Sequence, residues 1–491
     1  MINLEKLITA GREAGLFAVG ACSAQPFTDT KRILDERKKA GLHGNMQFTY
    51  RNPERSTEPA RLLPDAKTLV VGALDYYLPE SQTRTSSCIS DPSGRQKSGD
   101  TQESDRQSYG FGNGAGGGRK RSGDAQELWD EQEPQARVAA YAQADYYTAL
   151  RQGLEKIASI LRATGYRAVV SADENSLVDR AVAHRAGIGW WGKSASILVP
   201  GAGSMVVLGA VVTNALVDYE KPDFLPDGCG PCRRCLDGCP TGAIVAPGVV
   251  DARKCLAWLL QLDGVFDPRF RVALGDRIYG CDDCTEVCPP NRVRFSRARR
   301  VSHQVQLRRS SEMKTSERKD NKQPQKDAQE PFLGNSLISG HRTESFSQQA
   351  TQDADCPPPR PRNIHRTKSF SRQATQELFL ENTSRVSVLG LLEASDAELM
   401  ADYGRWYIPK RQARYLRRNA LVVLGNVGDP SQPRVRAAVE RALSDTDPLI
   451  VAHAIWCARR LELPFDVVGL KDDPIVAAEI ERDVPQRADL L

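Results

Sequence analysis

Three features of the sequence predict its fold class. Eight cysteines cluster between positions 229 and 288, strand-like apolar runs alternate with helical ones ahead of them, and apolar helical faces recur after position 385. Together they predict an α+β / α/β domain with an inserted ferredoxin-like cysteine module and a C-terminal α-helical, HEAT-like repeat region. The chain has 491 residues, room for roughly two to four domains. Its 40% hydrophobic content and mean hydropathy of −0.46 are low for so long a chain, so part of it is expected to be disordered. A net charge of +5 does not by itself select nucleic acid as a partner.

Composition divides the chain into 1–82 with 137–223 (the α/β part), 83–136 (low complexity), 224–295 (the cysteine module), 296–384 (biased linker) and 385–491 (helical). In the first part, Leu4, Leu7, Ile8 and Leu16 with Ala10 and Ala14 fit an opening helix. Residues 17–21 form a short strand candidate, 30–40 a charged amphipathic helix, and 68–74 a buried strand. After the insertion, 141–163 reads as helix, 167–171 as strand, and 177–186 as a helix ended by Gly187-Ile-Gly189. Residues 196–199 and 204–213 read as a strand pair across Pro200-Gly-Ala-Gly203.

The two biased stretches repeat themselves. Ser98-Gly-Asp-Thr-Gln-Glu returns at Ser122, and Arg342-Thr-Glu-Ser-Phe returns as Arg366-Thr-Lys-Ser-Phe, 24 residues on. The second unit holds one large apolar residue and cannot bury a core, so a solenoid is excluded. The glycine tract at 110–118 lacks the strand and helix that a phosphate loop needs, and flexible filler is the better reading.

The cysteine pattern is the sharpest signal. Cys229-x2-Cys232-x2-Cys235-x3-Cys239-Pro240 is followed by Cys255, then by Cys281-x2-Cys284-x3-Cys288-Pro289. In bacterial ferredoxins the first spacing holds one four-iron cube with three thiolates and sends the fourth to a second cube. Two intervening residues let one turn aim neighbouring sulfurs at the same cube; the longer gap and the proline turn the chain away. Eight thiolates satisfy two [4Fe–4S] clusters with none left over. The expected sets are Cys229, Cys232, Cys235 and Cys288 for the first, and Cys239, Cys255, Cys281 and Cys284 for the second. Cys255 precedes Cys281 by 26 residues, so a helix-sized insertion separates these two ligands. Paired Cys-x2-Cys groups also make zinc sites, but Cys-Pro after a three-residue gap in both runs is not a zinc habit. A disulfide framework does not suit so long a chain without a secretory signal.

Clusters only move electrons, so substrate chemistry must lie elsewhere. The landmarks are Leu62-Leu-Pro-Asp-Ala-Lys with Asp75-Tyr-Tyr; Tyr141-Ala-x2-Asp145-Tyr146; Asp173 seven residues before Arg180; Gly187-Ile-Gly-Trp-Trp-Gly-Lys193; Gly203-Ser with Leu208-Gly; Asp251-Ala-Arg-x-Cys255; Asp276-Arg-Ile-Tyr-Gly-Cys281; and Tyr415-Leu-Arg-Arg-Asn-Ala-Leu. In this order they resemble the epoxyqueuosine reductases, cobalamin-dependent iron–sulfur enzymes of the last queuosine step in tRNA. The resemblance covers 1–82, 137–295 and 385–491 and implies reduction of an epoxide on the wobble base to an alkene. Asp173 then matches the family's proton donor; the competing role is a helix cap, and Glu174 is the rival acid. Arg55, Tyr141, Asp145, Tyr146, Asp173, Lys193 and Ser196 are the expected cobalamin contacts. Trp190 and Trp191 read equally well as core packing. The family usually has histidine after Asp-Tyr, where this chain has Tyr147. No Asp-x-His-x2-Gly cobalt-ligating motif occurs, and His43 and His184 read as structural or surface residues.

For RNA, the run 405–418 holds Arg405, Lys410, Arg411, Arg414, Arg417 and Arg418 with no acid, interleaved with Trp406, Tyr407 and Tyr415. Such a run can neutralise phosphates and stack bases, or it can be a solvated helix face. The basic run 292–300 is a second candidate. Met1-Ile-Asn-Leu-Glu-Lys-Leu is no leader, and there is no twin-arginine signal or long apolar span. A cytoplasmic monomer without a membrane anchor is therefore expected, reduced by a small flavodoxin or ferredoxin. Two rivals stand: a cobalamin–iron–sulfur reductase of the reductive-dehalogenase type, acting on a small molecule, and a plain ferredoxin-like carrier. The former is commonly exported and lacks helical repeats; the latter needs no α/β part.

Overall fold

The central sheet has four strands in the order Ala18–Ser23, Thr68–Asp75, Val206–Thr213, Ala168–Ala172, and every neighbouring pair is antiparallel. The alternation of side chains along a strand sends Leu69, Val71 and Ala73 to one face and Val70 and Leu74 to the other. Both faces are covered. Leu150, Leu154, Ile157 and Leu161 of helix Tyr146–Ala163 pack on one; Ala181, Val182 and Ala183 of helix Asp179–Arg185 pack on the other. That double cover explains why Thr68–Asp75 is a continuous apolar run, buried throughout.

This computed structural model describes residues 1–77, 133–220, 225–292, 385–467 and 469–484. The stretch expected to be disordered at 83–136 lies outside them except for its last four residues. So do 296–384 and the basic run beyond Arg292. All described residues belong to one compact unit, 1–299 with 382–491.

Two local expectations change. The helix expected from 141 begins at Tyr146, because the Asp145 carboxylate accepts the Thr148 N–H at 3.0 Å and caps it; 140–142 form a 3-10 turn. The strand pair expected across 200–203 is not formed. Ile197–Leu198 pairs with Trp190–Trp191, only a single bridge joins Val199 to Gly203, and Val206–Thr213 enters the central sheet.

A second sheet ties the segments together. Gln135–Val138 lies between Arg277–Tyr279, to which it is parallel, and Arg385–Ser387, to which it is antiparallel. Beyond it, helices Arg414–Val427, Pro433–Leu443, Pro448–Arg460 and Pro474–Ile480 follow in succession. Proline opens the last three, and Asp447 and Asp473 cap the last two. Their core, with Leu421, Leu424, Val439, Ile455 and Trp456, is continuous with Leu256, Leu259, Leu274 and Ile278 of the cysteine module. No described helix is long and apolar enough to cross a membrane.

Candidate active site

Mutual charge effects link Cys288 with Cys229, Cys232 and Cys235, and link Cys284 with Cys239, Cys255 and Cys281. The Cys288 thiol is pushed up to about 12, by burial first and then by Cys229, Cys235 and Cys232. Burial also raises Cys284, with Cys255 and Cys239 adding to it, and raises Cys281, with Cys284 adding to it. All eight are free of disulfides. Among the described residues no three or more His, Cys, Asp or Glu side chains are arranged to hold one metal ion.

Local structure explains the grouping. The Cys232 N–H closes a turn on the Cys229 carbonyl at 2.9 Å, and Lys193 Nζ donates to the carbonyls of Gly230 and Cys232. In the second group, Cys239 Sγ accepts the Ala243 N–H at 3.2 Å. The Cys281–Cys284 loop is pinned by Asp282, which accepts the Ala140 N–H at 2.7 Å, and by the Arg277–Asp283 pair at 2.6 Å. Just before it, Gly280 has φ +72°, and a Cβ there would collide with Ala139, so only glycine fits. Asn291, fully buried, binds Ser204 N, Ser204 Oγ and the Thr285 carbonyl at 2.8–2.9 Å. It anchors the Cys288 segment, and Gly203 leaves the room it needs. Sequence reasoning stopped at Pro289 and missed it.

Asp173 follows strand Ala168–Ala172 in left-handed backbone, φ +54°. Asp tolerates this conformation better than most residues, and strain of this kind concentrates at functional sites. It caps nothing: the next helix starts at Asp179 behind Val178, with no side-chain cap. The carboxyl keeps solvent contact, yet burial raises its pKa; Glu174 adds to the rise and Arg151 opposes it. Arg151 itself donates to the Ala172 carbonyl and pairs with Glu174 at 3.3 Å. Asp179 is raised further, by burial and then by Asp173, and Tyr147 is raised by burial and then by Asp173 and Asp179. The Arg180 guanidinium opposes both rises and also that of Cys255, so the acids and the second thiol group lie within one electrostatic neighbourhood.

Several aromatic rings pack against one another, and the charge of Asp173 reaches Tyr147 and Tyr279 among the tyrosines. Tyr76 meets Tyr146 at 5.4 Å, Tyr141 meets Tyr279 at 6.3 Å, and Tyr279 stacks on Trp406 at 4.5 Å. Burial drives the Tyr279 hydroxyl to about 12, with Asp173 contributing. Ser171 Oγ, two residues before Asp173, is buried without a partner. Tyr76, Tyr279, Asp179 and Arg180 were not assigned from sequence, although Tyr76, Tyr279 and Arg180 stand inside the landmark motifs.

The other expected cobalamin contacts scatter in role. Tyr141 and Tyr146 are in the aromatic group. Asp145 is a helix cap, and Arg55 reaches Ser176 Oγ at 3.4 Å. Ser196 accepts the Gly192 N–H at 2.8 Å inside the hairpin, and Lys193 grips the first thiol loop. The tryptophans divide. Trp190 lies over Gly228 with its Nε1 buried and unpartnered, whereas Trp191 is 40% exposed and is not core.

The basic run is corrected by tertiary contacts. Arg418 is 1% exposed and bonds the carbonyls of Leu260, Leu262 and Gly264, so it cannot meet a phosphate. Trp406 and Tyr415 are buried and unavailable to bases; Tyr407, 49% exposed, is available. Acids absent from the run arrive from elsewhere: Asp263 for Lys410, Asp447 for Arg414, Asp396 for Arg417. Arg405 donates to the carbonyls of Ala142 and Gln143, and Arg411 to that of Gly404. Arg405, Lys410 and Arg411 remain exposed.

Residues 228–291 match the family model for a 4Fe-4S double cluster binding domain. The epoxyqueuosine reductase of Bacillus cereus is 33% identical over 292 residues, 59% of this chain and 64% of that protein. The chain thus spans just under two thirds of that relative's length. The epoxyqueuosine reductase of Xanthomonas campestris is 30% identical over 295 residues, 58% of this chain and 69% of that protein. A crystal structure of an epoxyqueuosine reductase with an epoxyqueuosine-modified tRNA-Tyr stem loop superposes with a TM-score of 0.61 at 22% identity, covering 99% of this chain and 96% of that one. With the thiol groups, the acid and the shared fold in place, the chain belongs to the epoxyqueuosine reductase family.

Proposed function

We propose that this chain reduces epoxyqueuosine to queuosine at the wobble position of tRNA, using two [4Fe–4S] clusters and cobalamin, with Asp173 as proton donor. The observation that carries the reading is the Asp173 carboxyl, held in left-handed backbone with a raised pKa, in the same neighbourhood as the second thiol group. Converting an epoxide to an alkene and water consumes two electrons and two protons. A carboxyl kept protonated near neutral pH supplies a proton to the departing oxygen. Asp179, half-buried and also raised, would return one.

The residues present fit a corrin. Its amide arms need hydrogen-bonding groups and its ring needs flat surface. The packed tyrosines provide both, and the orphaned Ser171 hydroxyl provides a free donor. Bound there, cobalamin would supply the electron-rich centre that opens the carbon–oxygen bond. Tyr141, Tyr146 and Ser171 would hold it, while Arg151 keeps Asp173 aimed.

The helices after 385 support a HEAT-like reading, stacking in sequence order and presenting Arg405, Tyr407, Lys410 and Arg411 to solvent as a tRNA-facing surface. A small flavodoxin or ferredoxin, a monomeric state and a cytoplasmic location complete the reading. The test is anaerobic incubation of the reconstituted chain with an epoxyqueuosine-bearing tRNA stem loop, followed by nucleoside analysis. Queuosine should form, and intact epoxyqueuosine after exhaustive incubation would refute the assignment.

A further inference from the structure

The 25 residues between Cys255 and Cys281 are held largely from outside the cysteine module. Arg418 donates to the carbonyls of Leu262 at 2.7 Å, Gly264 at 2.8 Å and Leu260 at 3.3 Å. Asn419 adds a bond to Leu260 at 3.1 Å, and Asn426 binds the carbonyls of Arg271 at 2.8 Å and Gly275 at 3.1 Å. His453 Nε2 accepts the Phe266 N–H at 3.1 Å, and Glu479 pairs with the fully buried Arg271 at 2.6 Å. Every one of these side chains belongs to the C-terminal helices. The first thiol group has separate supports, Lys193 and Asn291.

We propose that the C-terminal helices form the outer wall of the second cluster, so that its retention, and not that of the first, depends on Arg418 and Asn426. A cube is kept only while its sulfurs stay in register, and Cys255 and Cys281 are the two ends of this span. The span contains two short helices, Leu256–Leu259 and Pro268–Leu274, joined by irregular backbone. Removing Arg418 takes the donor from the partly buried carbonyls of Leu262 and Gly264 and leaves the buried Leu260 carbonyl with Asn419 alone, which favours opening of the segment. The helical region is thereby a positioning element for an electron-transfer centre as well as a surface. This inference rests on the two-cluster reading.

The test uses the full chain, reconstituted anaerobically, as wild type, Arg418→Met and the milder Asn426→Ala. Cys229→Ser and Cys284→Ser assign the electron paramagnetic resonance signals of the two reduced clusters. Iron release to a chelator is then followed. In both Arg418→Met and Asn426→Ala, about half of the iron should leave about tenfold faster, the scale set by losing hydrogen bonds to partly buried carbonyls, while the other half keeps its wild-type rate. The signal lost first should be the one missing in Cys284→Ser. Equal acceleration of both halves, as general destabilisation would give, overturns the proposal, and so does no acceleration in either variant. Wild type without about eight irons would instead overturn the cluster reading itself.

Discussion

Lys193 donates a hydrogen bond to the Cys232 carbonyl at 3.0 Å, joining the hairpin that follows the acid's helix to the first cysteine loop. Its ammonium therefore sits on the backbone of that loop and would favour an added electron on a cluster held there. Lys193→Met should move the potential of the first cluster about 20–60 mV more negative and leave the second unchanged. Potentiometric titration by electron paramagnetic resonance reads both; coincident curves for variant and wild type would remove this role.

Asp173→Asn separates the proton from the backbone, because asparagine also tolerates left-handed φ. Turnover should fall about 10²–10⁴-fold with iron content unchanged. Burial raises the Asp173 pKa, and the working form is protonated. Turnover should therefore hold at low pH and decline as pH rises through that raised pKa. A wild-type rate in the variant would give the role to another group.

Arg271 and Glu479 form an ion pair with both side chains almost wholly buried, at 0% and 2% exposure. Arg271→Met alone strands a buried carboxylate, although Arg482 lies 3.2 Å from it, and should cost about 3–5 kcal/mol. Adding Glu479→Met should restore most of that loss. Anaerobic denaturant unfolding decides the matter: if the double variant is as unstable as the single one, the pair is not the unit that matters.

His453 is buried, and its pKa is depressed by burial first and then by Arg271, with Arg418 adding to the effect; only the Leu449 carbonyl opposes. In the folded protein the ring stays neutral, while in the unfolded chain it takes a proton near pH 6.5. Its contribution is full above about pH 6.5 and is lost as pH falls below that value. His453→Gln should flatten this part of the stability–pH curve. An unchanged slope between pH 7 and pH 5, measured by unfolding, would exclude His453 as its origin.

The double-cluster module was readable from the cysteine spacing because ligand spacing is a local constraint, and residues 228–291 match the model of such a domain. The strands at 18–23 and 68–75 were legible from unbroken apolar runs. Long-range pairing was not. Nothing local says that Val206–Thr213 inserts between Thr68–Asp75 and Ala168–Ala172 rather than folding back on 196–199. The charge run misled for the same reason. Arg418 is one of six cations in the run, and only the tertiary fold reveals that its buried guanidinium serves three backbone carbonyls. Trp406 looked like a base-stacking ring and instead stacks on Tyr279.

The most direct test of the central claim is cobalamin dependence of the nucleoside conversion, with clusters, reductant and tRNA stem loop held fixed. Queuosine formation should be absent without cobalamin, rise with added cobalamin and saturate near one equivalent per chain. Equal conversion with and without it would contradict the account.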